Sequence, residues 1–363
     1  MLTSGCGAPA QTAAPGKTAA EAPKAETTTT AAPAETTAAP AEIDGGDDDS
    51  GAEAVGEKFT KSLKMSVDSS TGRMNISRAA GRNTSMGEKD TWSIFIYLCG
   101  TDLESEQGSA TDDILQMLEA QASDNVRFII QTGGTAEWQN NVMSACEAER
   151  YIVEDSDLFR LDPVPLKNMG SSDNLADFLE WGVENYPAEK MGVVFWDHGG
   201  GSISGVCFDE LNESDSLSLQ EINTAFSKVY EKMTDKFEFI GFDCCLMGTI
   251  ETANILASYA RYFFGSEEIE PGSGWDYTSI GNFLAENPGA NGGELGRTVA
   301  DSFYAECESV GQESGCTFSI IDLGKLDDLV IAFNDCAKEL YEAAESDMAG
   351  IVRQDRPDLL HLR

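Results

Sequence analysis

The stretch Phe237-Glu-Phe-Ile-Gly-Phe-Asp-Cys-Cys-Leu-Met-Gly248, together with the earlier Val193-Val-Phe-Trp-Asp-His-Gly-Gly-Gly201, decides how this chain folds. Each opens as a short apolar run, the pattern of a strand buried on both faces. Each closes on a residue able to do chemistry, Cys245 in the first and His198 in the second. If the two strands lie side by side, an imidazole base stands next to a sulfur nucleophile. Strand alternation sends Asp243 and Cys245 to one face and Cys244 to the other.

Outward from this pair, apolar runs alternate with amphipathic segments. Ser93–Leu98, Val126–Gln131, Arg261–Phe264 and Thr317–Ile321 read as strands, with an irregular strand pair around Met143 and Tyr151–Val153. Helices are expected with Ile114, Leu115, Leu118 and Ala122 on one face, from Ser172 to Tyr186, from Leu246 to Tyr259, around Glu294–Glu306 and at the end of the chain. Ser218 and Glu221 have the spacing of a capping box at the start of a helix carrying Leu219, Ile222, Phe226 and Val229. The alternation predicts an α/β fold with a mostly parallel central sheet flanked by helices on both faces. In such sheets ligands bind beyond the carboxyl ends of the strands, where His198 and Cys245 both fall.

The 363 residues contain 24 Lys+Arg and 63 Asp+Glu, a formal net charge of −39. Nucleic acid is therefore excluded as a natural partner, and a cationic ligand such as a basic peptide is favoured; acidity also keeps an exported protein soluble. Met1-Leu-Thr-Ser-Gly-Cys6 resembles the tail end of a bacterial lipoprotein signal, in which the cysteine is lipidated, without the charged and apolar regions that precede it. Residues 7–57 are Ala, Thr, Pro and Glu with almost no large apolar side chain, a composition that stays extended as a linker and could span on the order of 150 Å. Residues 58–90 carry Arg73, Arg78, Arg82 and Lys89 and read as a basic pro-segment or a further linker, before a folded domain from 91 to 363. The expected location is extracellular or the cell surface, with the membrane reached only through a lipid on Cys6.

The nine cysteines leave at least one thiol outside any set of intrachain bridges, and a bridge between the neighbours Cys244 and Cys245 would be strained. With only two histidines, His198 and His361, and no Cys-x-x-Cys pair, a zinc centre built from several imidazoles is excluded. The His198-Gly-Gly-Gly201 run is that of an esterase oxyanion loop, but no Gly-x-Ser-x-Gly elbow accompanies it, so a cysteine nucleophile remains. A thiol needs an imidazole or a helix N-terminus to ionise at neutral pH, and a helix starting at Leu246 would supply the second. The backbone N–H groups of Gly199 and Cys245 are the candidates for an oxyanion hole. A histidine at a strand end is more often structural and a buried cysteine more often packs; their coincidence carries the reading.

Five stretches in order resemble the clostripain family of cysteine endopeptidases: Trp92–Ser105, Gln131–Thr135, Trp196–Gly201, Phe242–Gly248 and Ser266–Trp275. The resemblance implies a caspase-like fold, also that of the haemoglobinases, and a dyad of His198 as base and Cys245 as nucleophile. It implies cleavage of peptide or protein substrates after Arg or Lys, with Asp243 at the floor of the specificity pocket and Trp275 as a wall. No cofactor is required for that chemistry. Calcium dependence occurs in the family, and the loop carrying Asp209, Glu210, Glu213 and Asp215 offers carboxylates suited to a hard cation, although without an ordered ligand pattern. Relatives are often self-processed after the histidine, yet residues 191–227 hold no Lys or Arg, which moves the expected cut to the segment from Arg73 to Lys89. Relatives also continue past the point corresponding to Arg363. The competing reading is a non-catalytic, surface-tethered binding module that keeps the same fold.

Overall fold

The computed structural model describes residues 64–78, 83–165 and 167–353. Cys6, the 7–57 segment, Arg82 and His361 lie outside them. The chain opens with a hairpin of β1 (Lys64–Val67) and β2 (Met74–Ser77), followed by β3 (Trp92–Cys99), α1 (Thr101–Ser105), α2 (Ser109–Glu119) and β4 (Val126–Gly133). Next come β5 (Ala148–Glu154), β6 (Asp157–Val164), α3 (Ser172–Asn185), β7 (Lys190–Trp196), α4 (Gly201–Ser204), β8 (Val206–Asp209) and β9 (Asp215–Leu217). The remainder is α5 (Leu219–Tyr230), β10 (Phe237–Asp243), α6 (Ile250–Leu256), β11 (Ala260–Gly265), α7 (Tyr277–Glu286), α8 (Gly292–Ser309), β12 (Ser319–Asp322) and α9 (Leu326–Arg353).

Eight strands form one sheet in the order β12-β11-β10-β7-β3-β4-β5-β6. The five central strands, β11 to β4, run parallel, and the antiparallel β12, β5 and β6 extend the two sides. Every residue of β3 and β10 is buried, as their apolar runs require. Period-2 alternation divides the core in two. Phe95 and Tyr97 pack with α3, α5 and α6, while Ile94, Ile96 and Leu98 pack with α2, α7 and α8. The mostly parallel sheet covered on both faces is the one read from the sequence. The Ser218–Glu221 capping box is present, with the Glu221 N–H donating to Ser218 Oγ at 3.3 Å and the Ser218 N–H to Glu221 Oε2 at 3.0 Å.

Four local expectations differ. On α2 the inward face is Ala110, Asp113, Ile114 and Met117; Leu115 is 51% exposed and Ala122 lies beyond the helix end. The helix is turned because the buried Asp113 accepts the Trp196 indole N–H, a polar contact that an apolar period cannot register. The helix after Cys245 starts at Ile250, not Leu246: Leu246 has φ 65°, which a helix does not tolerate. Met143 sits in a loop, held through its N–H by the Asn140 side chain, ahead of the β5–β6 hairpin. Helix α7, unanticipated, is capped by Asp276, which accepts from the Ser279 N–H.

The segment read as a basic pro-segment or linker folds in part onto the domain. Asn334 Nδ2 and Lys338 Nζ on α9 donate to the carbonyls of Gly72 and Thr71 in the hairpin turn. Arg78, nearly buried, donates to Asp327 Oδ1 at 2.7 Å, to the Asn254 carbonyl at 2.7 Å and to Asn254 Oδ1 at 2.6 Å. Lys89 stays open to solvent. Arg78→Ala removes three hydrogen bonds from a charged donor and is expected to lower the unfolding free energy by about 2 kcal/mol or more in urea titration. An unchanged midpoint and slope would mean that the clamp does not hold in solution.

Candidate active site

The register of the central strands brings the two chemical residues together. Trp196 on β7 pairs with Asp243 on β10, so His198 and Cys245 each stand two residues past the same rung. The following loops touch. A Cβ at Gly199 would lie 2.0 Å from the Cys245 carbonyl oxygen and 3.0 Å from Cys244 Sγ, so only glycine fits there. The turn after Cys245 is sharp: Leu246 is left-handed, its N–H donates to the Glu268 carbonyl at 3.0 Å, and the Gly248 N–H donates to that of Ser266 at 2.7 Å. These bonds fasten the acidic loop 266–276 to the Cys245 turn.

His198 Nε2 lies 2.8 Å from Asp102 Oδ1, on α1 just past the end of β3. Burial raises the Asp102 carboxyl, but the hydrogen bond and charge of His198 outweigh it and hold the group below its ordinary value. Asp197, beside the histidine, is buried and accepts from Thr101 Oγ1 at 2.7 Å and from the Phe208 N–H. Burial pushes its carboxyl up. It ties the β3, β7 and β8 ends together. Cys245 is part-exposed, and its Sγ accepts the Glu270 N–H at 3.3 Å. That amide stands where a helix N-terminus was anticipated. Cys244 is buried among the core residues on the α5 side, with its thiol pushed up by burial.

His198 and Cys245 open on one cavity of about 230 Å³ that is also lined by Asp113, Asp243, Ile269 and Glu270. Asp243 accepts the Tyr277 hydroxyl at 2.9 Å and the Trp275 N–H at 3.2 Å. Burial pushes its carboxyl up to about 7, against the pull of those two bonds. Trp275 does not line this cavity. Its ring is buried against Phe264 and Phe318 in the space left by Gly241, and only its backbone reaches Asp243. On the other side of His198 a second hollow of about 450 Å³ is lined by Thr101, Asp102, Phe208 and Glu210.

The four acidic-loop residues do not converge. Asp209 is buried and its carboxylate accepts from the N–H groups of Met169 and Leu211 and from Asn212 Nδ2. Glu210 accepts from the Ala136 N–H and Asp215 from Asn168 Nδ2, while Glu213 occupies a left-handed turn position. Among the described residues no group of three or more His, Cys, Asp or Glu side chains is arranged to hold a metal ion. The site residues absent from the sequence reading are Asp102, Asp113, Asp197 and Glu270. Asp102 and Glu270 lie inside motifs already singled out, Trp92–Ser105 and Ser266–Trp275, and each stands beside a strand end.

A family model described as the clostripain family, peptidase family C11, matches residues 96–355. The chain belongs to the clostripain family. Clostripain of Hathewaya histolytica is 32% identical over 101 residues, a match covering 24% of this chain and 18% of that protein's length. A secreted C11 cysteine protease from Bacteroides thetaiotaomicron, solved with an irreversible peptide inhibitor, superposes with a TM-score of 0.52 at 20% identity, over 66% of this chain and 68% of that one. An inactive zymogen C11 protease from Parabacteroides distasonis gives 0.51 at 21% identity, over 66% and 63%. These likenesses show a shared fold, the caspase-like arrangement implied by the sequence motifs.

Gly199→Ala is expected to force the backbones of the loops after β7 and β10 apart and to cost about 1–3 kcal/mol of stability by thermal or urea unfolding. A variant as stable as the parent would contradict the loop contact.

Proposed function

We propose that this protein is a cysteine endopeptidase that cleaves after Arg or Lys, with His198 as general base and Cys245 as nucleophile. The observation that supports the reading is the close approach of Gly199 to the Cys245 carbonyl, with His198 and Cys245 lining one cavity beside Asp113, Asp243 and Glu270. Membership of a peptidase family supports it.

Nδ1 of His198 takes the thiol proton, and the thiolate attacks the scissile carbonyl carbon. The carbonyl electron pair moves onto oxygen, held by the N–H groups of Gly199 and Cys245. As it returns, the C–N bond breaks and the imidazolium gives its proton to the leaving amine. Water then attacks the thioester, losing a proton to His198, and the acid product leaves as the thiol reforms. Asp102 keeps the ring oriented through Nε2. The Glu270 N–H donates to Cys245 Sγ and orients the sulfur.

The second hollow lies beyond the histidine that protonates the leaving group, so substrate residues after the cut run into it. Peptides with basic residues suit the net charge of −39. The secreted relative supports an extracellular location. Lipidation of Cys6, with residues 7–57 as tether, would hold the domain at a bacterial surface.

Cys245→Ala and His198→Ala are expected to abolish cleavage of a fluorogenic Arg peptide, while Cys244→Ala keeps it within about tenfold. Cleavage by Cys245→Ala at the parent rate would overturn the assignment, and the absence of any cleaved peptide would favour the binding module. Because Asp243 ionises at about 7 and the cation binds the ionised form, KM for Arg peptides should fall as pH rises through that value. A flat KM profile would remove Asp243 from the pocket's charge.

A further inference from the structure

The last turn of α8 and the segment leading into β12 hold two cysteines that the chemistry above does not use. Cys307 is buried with Trp275 and Phe303 on the α8 side of the core, and the half-buried Cys316 packs against the same cluster. Both are thiols, and their side chains are hydrogen-bonded to each other. Between them the chain turns back on itself. The Gln312 N–H donates to the Cys307 carbonyl at 2.8 Å and the Gly315 N–H to that of Gln312 at 3.1 Å, while Gly311 is left-handed with φ 71°. Little else holds this turn: Val310 is 53% exposed, and a Cβ on Gly311 would meet nothing within 4 Å. Thiols already in contact at the two ends of an exposed turn need only a side-chain adjustment to reach bonding distance.

The loop 266–276 rests on the far end of this turn. Thr317 Oγ1, one residue past Cys316, accepts the N–H groups of Glu267 and Glu268, each at 3.1 Å, and shares a hydrogen bond with Ser266 Oγ at 2.8 Å. The Phe318 ring meets the Trp275 ring edge-on, with centroids 5.5 Å apart, and the Ser273 side chain bonds to Cys307. Residues 316–318 therefore back the loop whose Ser266 and Glu268 carbonyls hold the turn after Cys245.

We propose that Cys307 and Cys316 form a disulfide in an oxidising medium, and that this bridge clamps the segment backing the 266–276 loop. The extracellular location proposed above supplies such a medium. The oxidant is a low-molecular-weight disulfide. The thiolate of the part-exposed Cys316 attacks one of its sulfurs, the external S–S bond breaks, and one thiolate leaves. Cys307 then attacks the Cys316 sulfur of the mixed disulfide and releases the second thiolate. The two protein thiols lose two electrons and two protons, and one external disulfide becomes two thiols. Burial pushes the Cys307 thiol up to about 12, with the neighbouring Cys316 adding to it, so the closing step is the slower one and quickens as pH rises.

The test uses the whole chain. Trypsin leaves both cysteines on one peptide, 298–325, because no Lys or Arg lies between Arg297 and Lys325. After incubation with oxidised glutathione that peptide should be lighter by two hydrogens and resist iodoacetamide until it is reduced. Relative to Cys316→Ser treated in the same way, the parent should melt about 5 °C higher. Its Glu267 and Glu268 amides should exchange hydrogen about tenfold more slowly. In dithiothreitol the two proteins should be alike, which shows that the substitution itself leaves the fold intact; Cys307→Ala should repeat the Cys316→Ser result. A 298–325 peptide that takes up glutathione or iodoacetamide instead of losing two hydrogens overturns the bridge. Equal amide exchange in the oxidised parent and oxidised Cys316→Ser overturns its hold on the loop. None of these readouts requires catalysis, so their failure is distinct from a failure of the peptidase reading.

Discussion

The Cys245 carbonyl oxygen occupies the space where any side chain on residue 199 would begin. Two loops leaving adjacent parallel strands are thereby pressed together at their first turns. Everything upstream serves that contact. The rung pairing Trp196 with Asp243 equalises the two strand ends. The wholly buried β3 beside them carries Asp102 to the far nitrogen of the imidazole. Asp197 binds the β3, β7 and β8 ends into one layer.

The same layer accumulates buried carboxyl groups, whose ionisation burial opposes. Asp113, Asp197, Asp243 and Glu270 all have carboxyls raised by burial. Three of them face one cavity, where Asp243 makes Asp113 and Glu270 harder to ionise. Such a cluster is a poor way to stabilise a fold and an effective way to attract a cation. The 266–276 loop that completes it is fastened to the turn after Cys245 by two backbone hydrogen bonds.

Much of this was legible from residues alone. The apolar runs ending at His198 and Cys245 located the strands, and period-2 alternation separated Cys245 from the buried Cys244. What the sequence hid were contacts that apolar periodicity does not encode. Asp113 turns α2 by bonding to an indole on another element. Leu246 delays α6 through a left-handed backbone that its side chain does not advertise. Trp275 packs beneath the pocket because Gly241, on a neighbouring strand, makes room for its ring. The β1–β2 hairpin escaped notice because its anchor, Arg78, bonds to partners far along the chain.

The central claim is that one sulfur, Cys245, is held at the mouth of an acid-lined cavity next to a single histidine. Treating the protein with a peptidyl chloromethyl ketone bearing Arg, then mapping the adduct by mass spectrometry, tests it most directly. The account predicts one adduct, on Cys245, forming much faster than with the citrulline analogue and failing to form in His198→Ala. An adduct on Cys244, or equal labelling of several thiols regardless of the peptide's charge, would contradict it.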